Sequence, residues 1–321
     1  MNKIFQDNKT YESEIVIQEF KNYFNSKGYQ PIENVLVTSN IDPTVRFIGS
    51  HISVMKDRLM NQAIDDRGEY MSQNCLRTRN VKTLMEDTST KYGSFFKSMG
   101  SLVQYKNLEA IVEDSFELLE EKLNIPMDNI VCRVNSADED LVRVLKKIRR
   151  NNLEFDTKQE SYYKHNIGIV DVFGRNFNFA VDNKKGNVED IGNLIVLQDQ
   201  NNFLGVELAL GDSTLAKELM GLKHILDIYK IEIDTTNENA KRKIQDCIIT
   251  ISVLIGEGLM PNSSTNQGRI LKKYIKELLY WCDQIHLSQE KLNETVEEFC
   301  TNYLKLPLET IQTILNTINQ K

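Results

Sequence analysis

The sequence predicts an α+β protein: a mostly antiparallel sheet flanked by helices, followed by an all-helical domain. Three observations predict it. Apolar runs rich in β-branched and aromatic residues cluster between Ile167 and Leu210, punctuated by turn residues at Gly174 and from Asp182 to Gly186. Amphipathic helical spacing precedes them in Glu12 to Ser26, Leu108 to Leu123 and Asp138 to about Arg150. After Asp234 to Ala240, a linker by composition, the chain reads as helical to its end. The expected domains are therefore 1–234 and 235–321.

In chain order, Ile15, Ile17, Phe20, Tyr23 and Phe24 approximate one helix face, and Gly28 marks its stop. Ser39 to Thr44 is a turn and Val45 to Ile48 a short strand. Ser72 to Arg77 is strand-like. Ile111, Phe116, Leu118, Leu119 and Leu123 oppose a run of Glu and Asp, which gives a strong helix; Ile130 to Val134 is a strand. The basic run Lys146, Lys147, Arg149, Arg150 reads as a solvated face, with phosphate contact as the alternative. Asn151 to Glu160 is a polar loop. Strands follow at Ile167 to Phe173, Phe177 to Val181, Leu194 to Leu197 and Val206 to Leu210. Asp212 and Ser213 read as the N-cap of a helix running to about Ile228. Lys243 to Gly258, Glu290 to Tyr303 and Leu308 to Ile318 are further helices.

Bulk properties narrow the function. At 321 residues, 40% hydrophobic and 26% charged, the chain is ordinary globular material long enough for two domains. The longest apolar run, Cys247 to Ile255, is too short to cross a bilayer, and MNKIFQDNKT lacks a signal core; no membrane partner and a cytoplasmic location are expected. Five cysteines without CxxC spacing are expected to be reduced and buried, and four scattered histidines show no zinc signature, so no metal site is expected. A net charge of −7 disfavours nonspecific, high-affinity nucleic-acid binding over the whole surface. It allows a local patch: Lys241 to Trp281 holds seven cations against three anions.

Ser72 to Gly100 carries the chemistry. Its strand ends on Arg77, a polar loop with Arg79, Lys82 and Lys91 follows, and Phe95-Phe96-Lys97 closes it. An arginine fork beside a basic loop suits a polyphosphate. The plainer alternative is a solvated hairpin with scattered charge.

This stretch resembles motif 2 of the alanyl-tRNA synthetases, a class II family, whose Ser-Gln-x-Cys-x-Arg run is present as Ser72, Gln73, Cys75 and Arg77. The family's Phe-Phe-Glu-Met-Leu-Gly reads Phe95-Phe96-Lys97-Ser98-Met99-Gly100, and its Asp-Pro-Thr is Asp42-Pro43-Thr44. Gly258-Leu259-Met260-Pro261 and Asn266 to Lys273 resemble the start of the tRNA-recognition domain, with Lys272-Lys273 in place of a double arginine. The resemblance runs from about Phe20 to Leu279.

The resemblance implies a class II synthetase-like fold, ATP with magnesium as cofactors, and a tRNA acceptor stem as partner. It implies that Arg77 is the catalytic arginine on the α-phosphate, with Phe96 and Lys97 also at ATP. Glu207 would hold the substrate amino group, with Asn193 and Gln198 in the same amino-acid pocket. Asn266, Arg269, Lys272 and Lys273 would meet RNA through its phosphates. Two departures bear on activity. Lys97 reverses the charge of the family's glutamate, and in motif 3 the arginine that should lie on the ATP phosphates is Thr214. Three readings follow: a catalytically degenerate synthetase-like protein that binds tRNA, a protein partner or itself; an active ATP-dependent aminoacyl-tRNA ligase; and a ligase for a non-tRNA acceptor.

Overall fold

The computed structural model describes residues 12–88, 91–148, 152–183 and 188–320. Among these, two compact units form. One draws on the described residues of 12–34, 50–73 and 97–221, the other on those of 35–49, 74–96 and 222–320. Compactness thus groups the basic loop before Phe96 with the C-terminal helices, where the sequence expectation drew its line at 234/235.

Most of the first unit is a mixed sheet; residues 74–76 and 95–96 of its strands lie in the second unit. Its strands are β1 (Gln30–Pro31), β2 (Glu69–Leu76), β3 (Phe95–Val103), β4 (Ile130–Val134), β5 (Leu153–Phe155), β6 (Lys164–His165), β7 (Phe173–Asp182), β8 (Val188–Gln198) and β9 (Phe203–Gly211). They lie in the order β1-β2-β3-β9-β8-β7-β4-β5, with β6 beside β7. Pairing is antiparallel through β3, β9, β8, β7 and β4, and parallel at the margins, β1 with β2 and β4 with β5. Helices α1 (Glu12–Ser26), α2 (Ile52–Met60), α3 (Leu108–Glu117), α4 (Glu139–Ile148) and α5 (Asp212–Met220) accompany it. The expected α+β class and flanked antiparallel sheet are therefore present. α1 forms where the spacing places it: Val16, Phe20, Tyr23 and Phe24 are buried, and Gly28 turns the chain at φ 82°.

Several elements differ from expectation, each for a local reason. Val45 to Ile48 is not a strand; Ile48 makes only single backbone bonds, to Val37 and from Leu76. Ile167 to Val172 is a loop and the strand starts at Phe173, because Gly168 and Asp171 take left-handed backbone at φ 77° and 61°. Leu108 to Leu123 splits after Glu117 into a π turn, Leu118–Lys122. α5 stops at Met220 rather than near Ile228, since Gly221 caps it at φ 65°. Gly211, not Asp212, stands at its N-cap. The linker is shorter than read, because Asn237 already caps the next helix by accepting from Ala240 N at 3.0 Å. Arg149 and Arg150 of the basic run, Lys184 to Gly186 of one turn, and the N-terminal MNKIFQDNKT lie outside the described residues.

The second unit holds α6 (Glu238–Gly256), α7 (Asn266–Gln284), α8 (Gln289–Asn302) and α9 (Leu308–Asn319). Residues Cys247 to Ile255 of α6 are buried on every side, which is why that run is apolar but for Thr250 and Ser252. All five cysteines are free and buried. Among the described residues no helix is long and apolar enough to cross a membrane.

Candidate functional site

In the second unit, the loop between β2 and β3 is fastened to α6 and α7 by buried polar groups. The Asp246 carboxylate accepts from Ser94 N at 2.6 Å and from the Ser94 hydroxyl, to which Tyr274 donates at 2.8 Å. Asn80 Nδ2 donates to Tyr92 O at 2.9 Å, Trp281 Nε1 to Leu84 O at 2.9 Å, and Lys243 Nζ to Thr83 O. Burial raises the Asp246 carboxyl above its ordinary range and lowers the Lys243 ammonium. Such a network is costly to leave half-made, so it fixes the loop.

Two of the three residues expected at ATP, Arg77 and Phe96, meet beside that loop. The Arg77 guanidinium lies 3.8 Å from the Phe96 ring centroid and 5.0 Å from that of Tyr92, and Nη1 donates to Gly93 O at 3.3 Å. Beside them Arg46, Thr78, Arg79, Val81, Lys82, Ile270 and Lys273 line one cleft of about 370 Å³. Among the described residues it has four cations and no carboxylate on its walls. Gln267 holds its rim by donating to Thr38 O at 3.0 Å and Arg46 O at 2.7 Å. Glu257 accepts from Val37 N, Thr38 N and the Thr38 hydroxyl at 3.0, 3.1 and 3.2 Å.

Of the expected RNA residues, Lys273 lines this cleft. The other three gather at the start of α7. Arg269 donates to Ser263 O at 3.1 Å and to Asn266 Oδ1, and Lys272 Nζ reaches Ser263 Oγ at 2.9 Å.

In the first unit the expected amino-acid residues stand in a covered sheet. Glu207 is fully buried, its Oε1 3.2 Å from His51 Nε2, and His51 Nδ1 meets Ser98 Oγ at 2.9 Å. Burial pushes the Glu207 carboxyl up to about 8 and the His51 imidazole down to about 3. The pair is therefore neutral at pH 7: an ion pair here would be two desolvated charges. Glu207 Oε2 has no hydrogen-bond partner among the described residues. Gly100 lets the His51 ring in, since a Cβ there would come within 1.9 Å of Nε2.

Register puts Glu207 opposite Ile195 and Leu102, so these share a sheet face. That face is packed solid. Ile195, Leu197 and Leu102 form one core cluster with Ile52, Met55 and Leu59 of α2, and with Val172, Ile167 and Ile169 of the loop before β7. Asn193, two residues from Ile195 on the same face, bonds His165 Nε2 at 3.1 Å. Gln198 faces the other way. It accepts from Arg175 Nε at 2.9 Å, whose guanidinium also pairs with Asp138 and Asp140 at 2.9 Å. Lys97 lines a separate cavity of about 470 Å³ with Glu14, Ile15, Ile17, Gln18 and Glu19 of α1. Its backbone N–H donates to buried Asp212 Oδ1 at 2.9 Å.

Sequence reasoning missed Arg46, His51, Asp246 and Tyr274. Arg46 sits between apolar residues that read as a strand, and Asp246 is one of the three anions of the Lys241 to Trp281 stretch. The one available signal was the pair Lys243 and Asp246 at a one-turn spacing just before the apolar run of α6, where buried charges must find partners.

Comparisons with known proteins bear on the whole. The model of the family "tRNA synthetases class II (A)" matches residues 15–180, half of the chain. An alanine–tRNA ligase of Ruegeria sp. (strain TM1040) is 21% identical over 304 residues, covering 81% of this chain and 34% of that protein. The chain thus spans about a third of that curated relative's length. Among solved structures, an aspartyl-tRNA synthetase from Entamoeba histolytica matches with TM-score 0.43 at 10% identity, covering 68% of this chain and 56% of its own. The RNA-binding domain of a threonyl-tRNA synthetase from Cryptosporidium parvum Iowa II matches with TM-score 0.44 at 10% identity, covering 65% of each.

Proposed function

We propose, from the premise that the chain belongs to the class II tRNA synthetases (A), that it is an alanyl-tRNA synthetase-like protein that binds a tRNA acceptor stem and does not activate an amino acid. Residues 1–234 act as a catalytic-like domain and 235–321 as a tRNA-recognition-like domain, working in the cytoplasm. The observation that carries this reading is the filled sheet face around Glu207. A substrate ammonium needs a charged carboxylate in an open pocket. Glu207 is neutral at pH 7 and buried behind α2. Class II synthetases use ATP and magnesium, and the carboxylates here do not fit that pair. Asp212 is buried, turned to the Lys97 backbone and raised by burial, and Glu207 is turned to His51. Thr214 supplies no charge to the phosphates. Adenylate formation depends mainly on positioning and on fixed charges that stabilise the transition state, and losing one such donor costs about 10²–10³ in rate.

The active-ligase reading draws its support from Arg77, which keeps its aromatic platform on Phe96. One experiment separates the two. ATP–pyrophosphate exchange is measured with alanine and each other amino acid, with Arg77→Ala as control, alongside binding of an acceptor-stem RNA to the parent and to a Lys272→Glu/Lys273→Glu variant. The expected result is exchange at or below about a hundredth of an ordinary synthetase. RNA binding should have a salt slope of about −1 to −3 and be lost in the double variant. Exchange at a normal rate that Arg77→Ala abolishes would establish the ligase instead; RNA bound equally by the double variant, or not at all, would remove the tRNA role and leave a protein partner or self-association.

A further inference from the structure

We infer that residues 157–172, the stretch between β5 and β7, form a strap that controls access to the sheet face beside Glu207. Closed, it shuts that face from water; it opens while the sheet stays folded. The inference deepens the reading above, which takes the face as filled, by making part of the filling reversible. From Tyr163 onward the strap alternates: Tyr163, His165, Ile167 and Ile169 turn inward, and the residue after each is exposed. Register places Asn176 opposite Ile195 and Ile195 opposite Glu207, so the three share the face that the strap covers. The approach is close. A Cβ at Gly174 would stand 2.6 Å from Ile195 Cγ2 and 3.0 Å from His165 Cβ, so the strap lies directly on the sheet there.

Two features make the strap separable from the sheet. Its ties are short. β6 pairs with β7 at Lys164 and His165, Asn176 Nδ2 donates to Tyr162 O at 3.3 Å, and Asn193 Nδ2 meets His165 Nε2 at 3.1 Å. β8, by contrast, is paired with β7 and β9 along its length. Closing the strap also leaves polar atoms unsatisfied. Among the described residues the Tyr163 hydroxyl and Asn176 Oδ1 have no hydrogen-bond partner, and both residues are buried. In an open state each meets water, which favours opening below the level of global unfolding. The closed state is held by apolar contact: Ile167, Ile169 and Val172 join the core cluster of Ile195 and Leu197. The stretch is bounded by left-handed turns, at Asp156 with φ 54° and Asp171 with φ 61°. Its displacement therefore leaves β5 and β7 in place.

The test uses the full chain. Tryptic cleavage at Lys164, which must leave β7 to be cut, is timed by mass spectrometry across a urea series for the parent, Tyr163→Phe and Ile167→Ala/Ile169→Ala, and global unfolding is followed by circular dichroism. Cleavage of the transiently opened strap reports how often it is open. In the parent it should depend on urea much less steeply than global unfolding does, because a small surface is exposed. Ile167→Ala/Ile169→Ala should speed cleavage at least tenfold by removing the apolar hold. Tyr163→Phe should slow it about threefold or more, because the closed state no longer buries an unsatisfied hydroxyl. Cleavage that follows global unfolding in every protein would show a permanent cover and overturn the strap, with the non-activating reading intact. Equal, urea-independent cleavage in all three would show a loop that never closes and overturn it as well. Pyrophosphate exchange is scored separately. With the strap opening as expected, exchange that stays absent leaves both readings standing, and exchange that appears in Ile167→Ala/Ile169→Ala keeps the strap and removes the non-activating reading.

Discussion

Two polar centres in this chain handle their charged groups in opposite ways. Around Glu207 the polar groups are consumed from within: His51, Ser98 and Glu207 face one another, and α2 closes the sheet face over them. Around Arg79 and Lys273 the charges stay in water, and the buried polar groups serve as fasteners beneath them. Burial neutralises the first centre, and exposure keeps the second charged. A site that must meet an anion keeps its desolvated groups in the supporting layer and its charges outside. The first centre has its polar groups in the buried layer. Substitutions in it should therefore change stability and leave RNA binding alone, and those in the second should do the reverse once the fasteners are spared.

The largest effect falls on a fastener. Asp246→Ala leaves Ser94 N and Oγ without their acceptor in a fully buried place. It should cost about 3 kcal/mol in chemical unfolding and also release the loop that carries Arg79 and Lys82. Loss of RNA affinity with unchanged stability would mean that Asp246 is a binding residue instead.

Next comes Gly100→Ala. The new Cβ would meet the His51 ring, which is fully buried and held at Nδ1 by the Ser98 hydroxyl. A cost of about 2 kcal/mol is expected, with RNA affinity unchanged. Tolerance of alanine would show that the His51 ring is not fixed.

The same pair gives a pH signature. Glu207 is raised to about 8 in the folded chain, so folding takes up a proton there, and that stability, full below about pH 4.5, is lost as pH rises to about 8. His51, lowered to about 3, contributes with the opposite sign, losing stability as pH falls from 6.5. The two offset each other between about pH 4.5 and 6.5 and part above it. From pH 6.5 to 8 the parent should lose about 2 kcal/mol through Glu207, and Glu207→Gln should lose none of it. Parallel curves for the two proteins would mean that Glu207 is already ionised at pH 6.5.

How much of this was legible follows from sequence distance. Arg77 and Phe96 were readable as partners because one continuous stretch carries both, and the strand-loop-strand between them is local. Glu207 was readable as a position but not as an environment: His51 and α2 arrive from far away in sequence, and no pattern in residues 188–211 announces them. Asn193 and Gln198 could have been separated beforehand, since five residues along a strand is an odd step and puts them on opposite faces. Arg46 had no local signal. Its neighbours Val45, Phe47 and Ile48 mimic a strand, and only the anchoring by Gln267 and Glu257 makes that segment a rim.

The smallest effect tests that rim. Gln267→Ala removes the donor to Thr38 O and Arg46 O without touching a charge. Both carbonyls can turn to water, so unfolding should change by no more than about 0.5–1 kcal/mol. The Arg46 backbone, however, loses the bond that sets where its guanidinium stands. If the cleft works by pre-set geometry, RNA affinity should fall about two- to fivefold, the equivalent of 0.5–1 kcal/mol, with the salt slope unchanged because no cation is gone. Lost affinity with a flatter slope would mean that Arg46 has left the site altogether. Unchanged affinity would mean that the cations act through their summed field alone, and the contrast between a fastened site and a filled one would then rest on charge rather than on architecture.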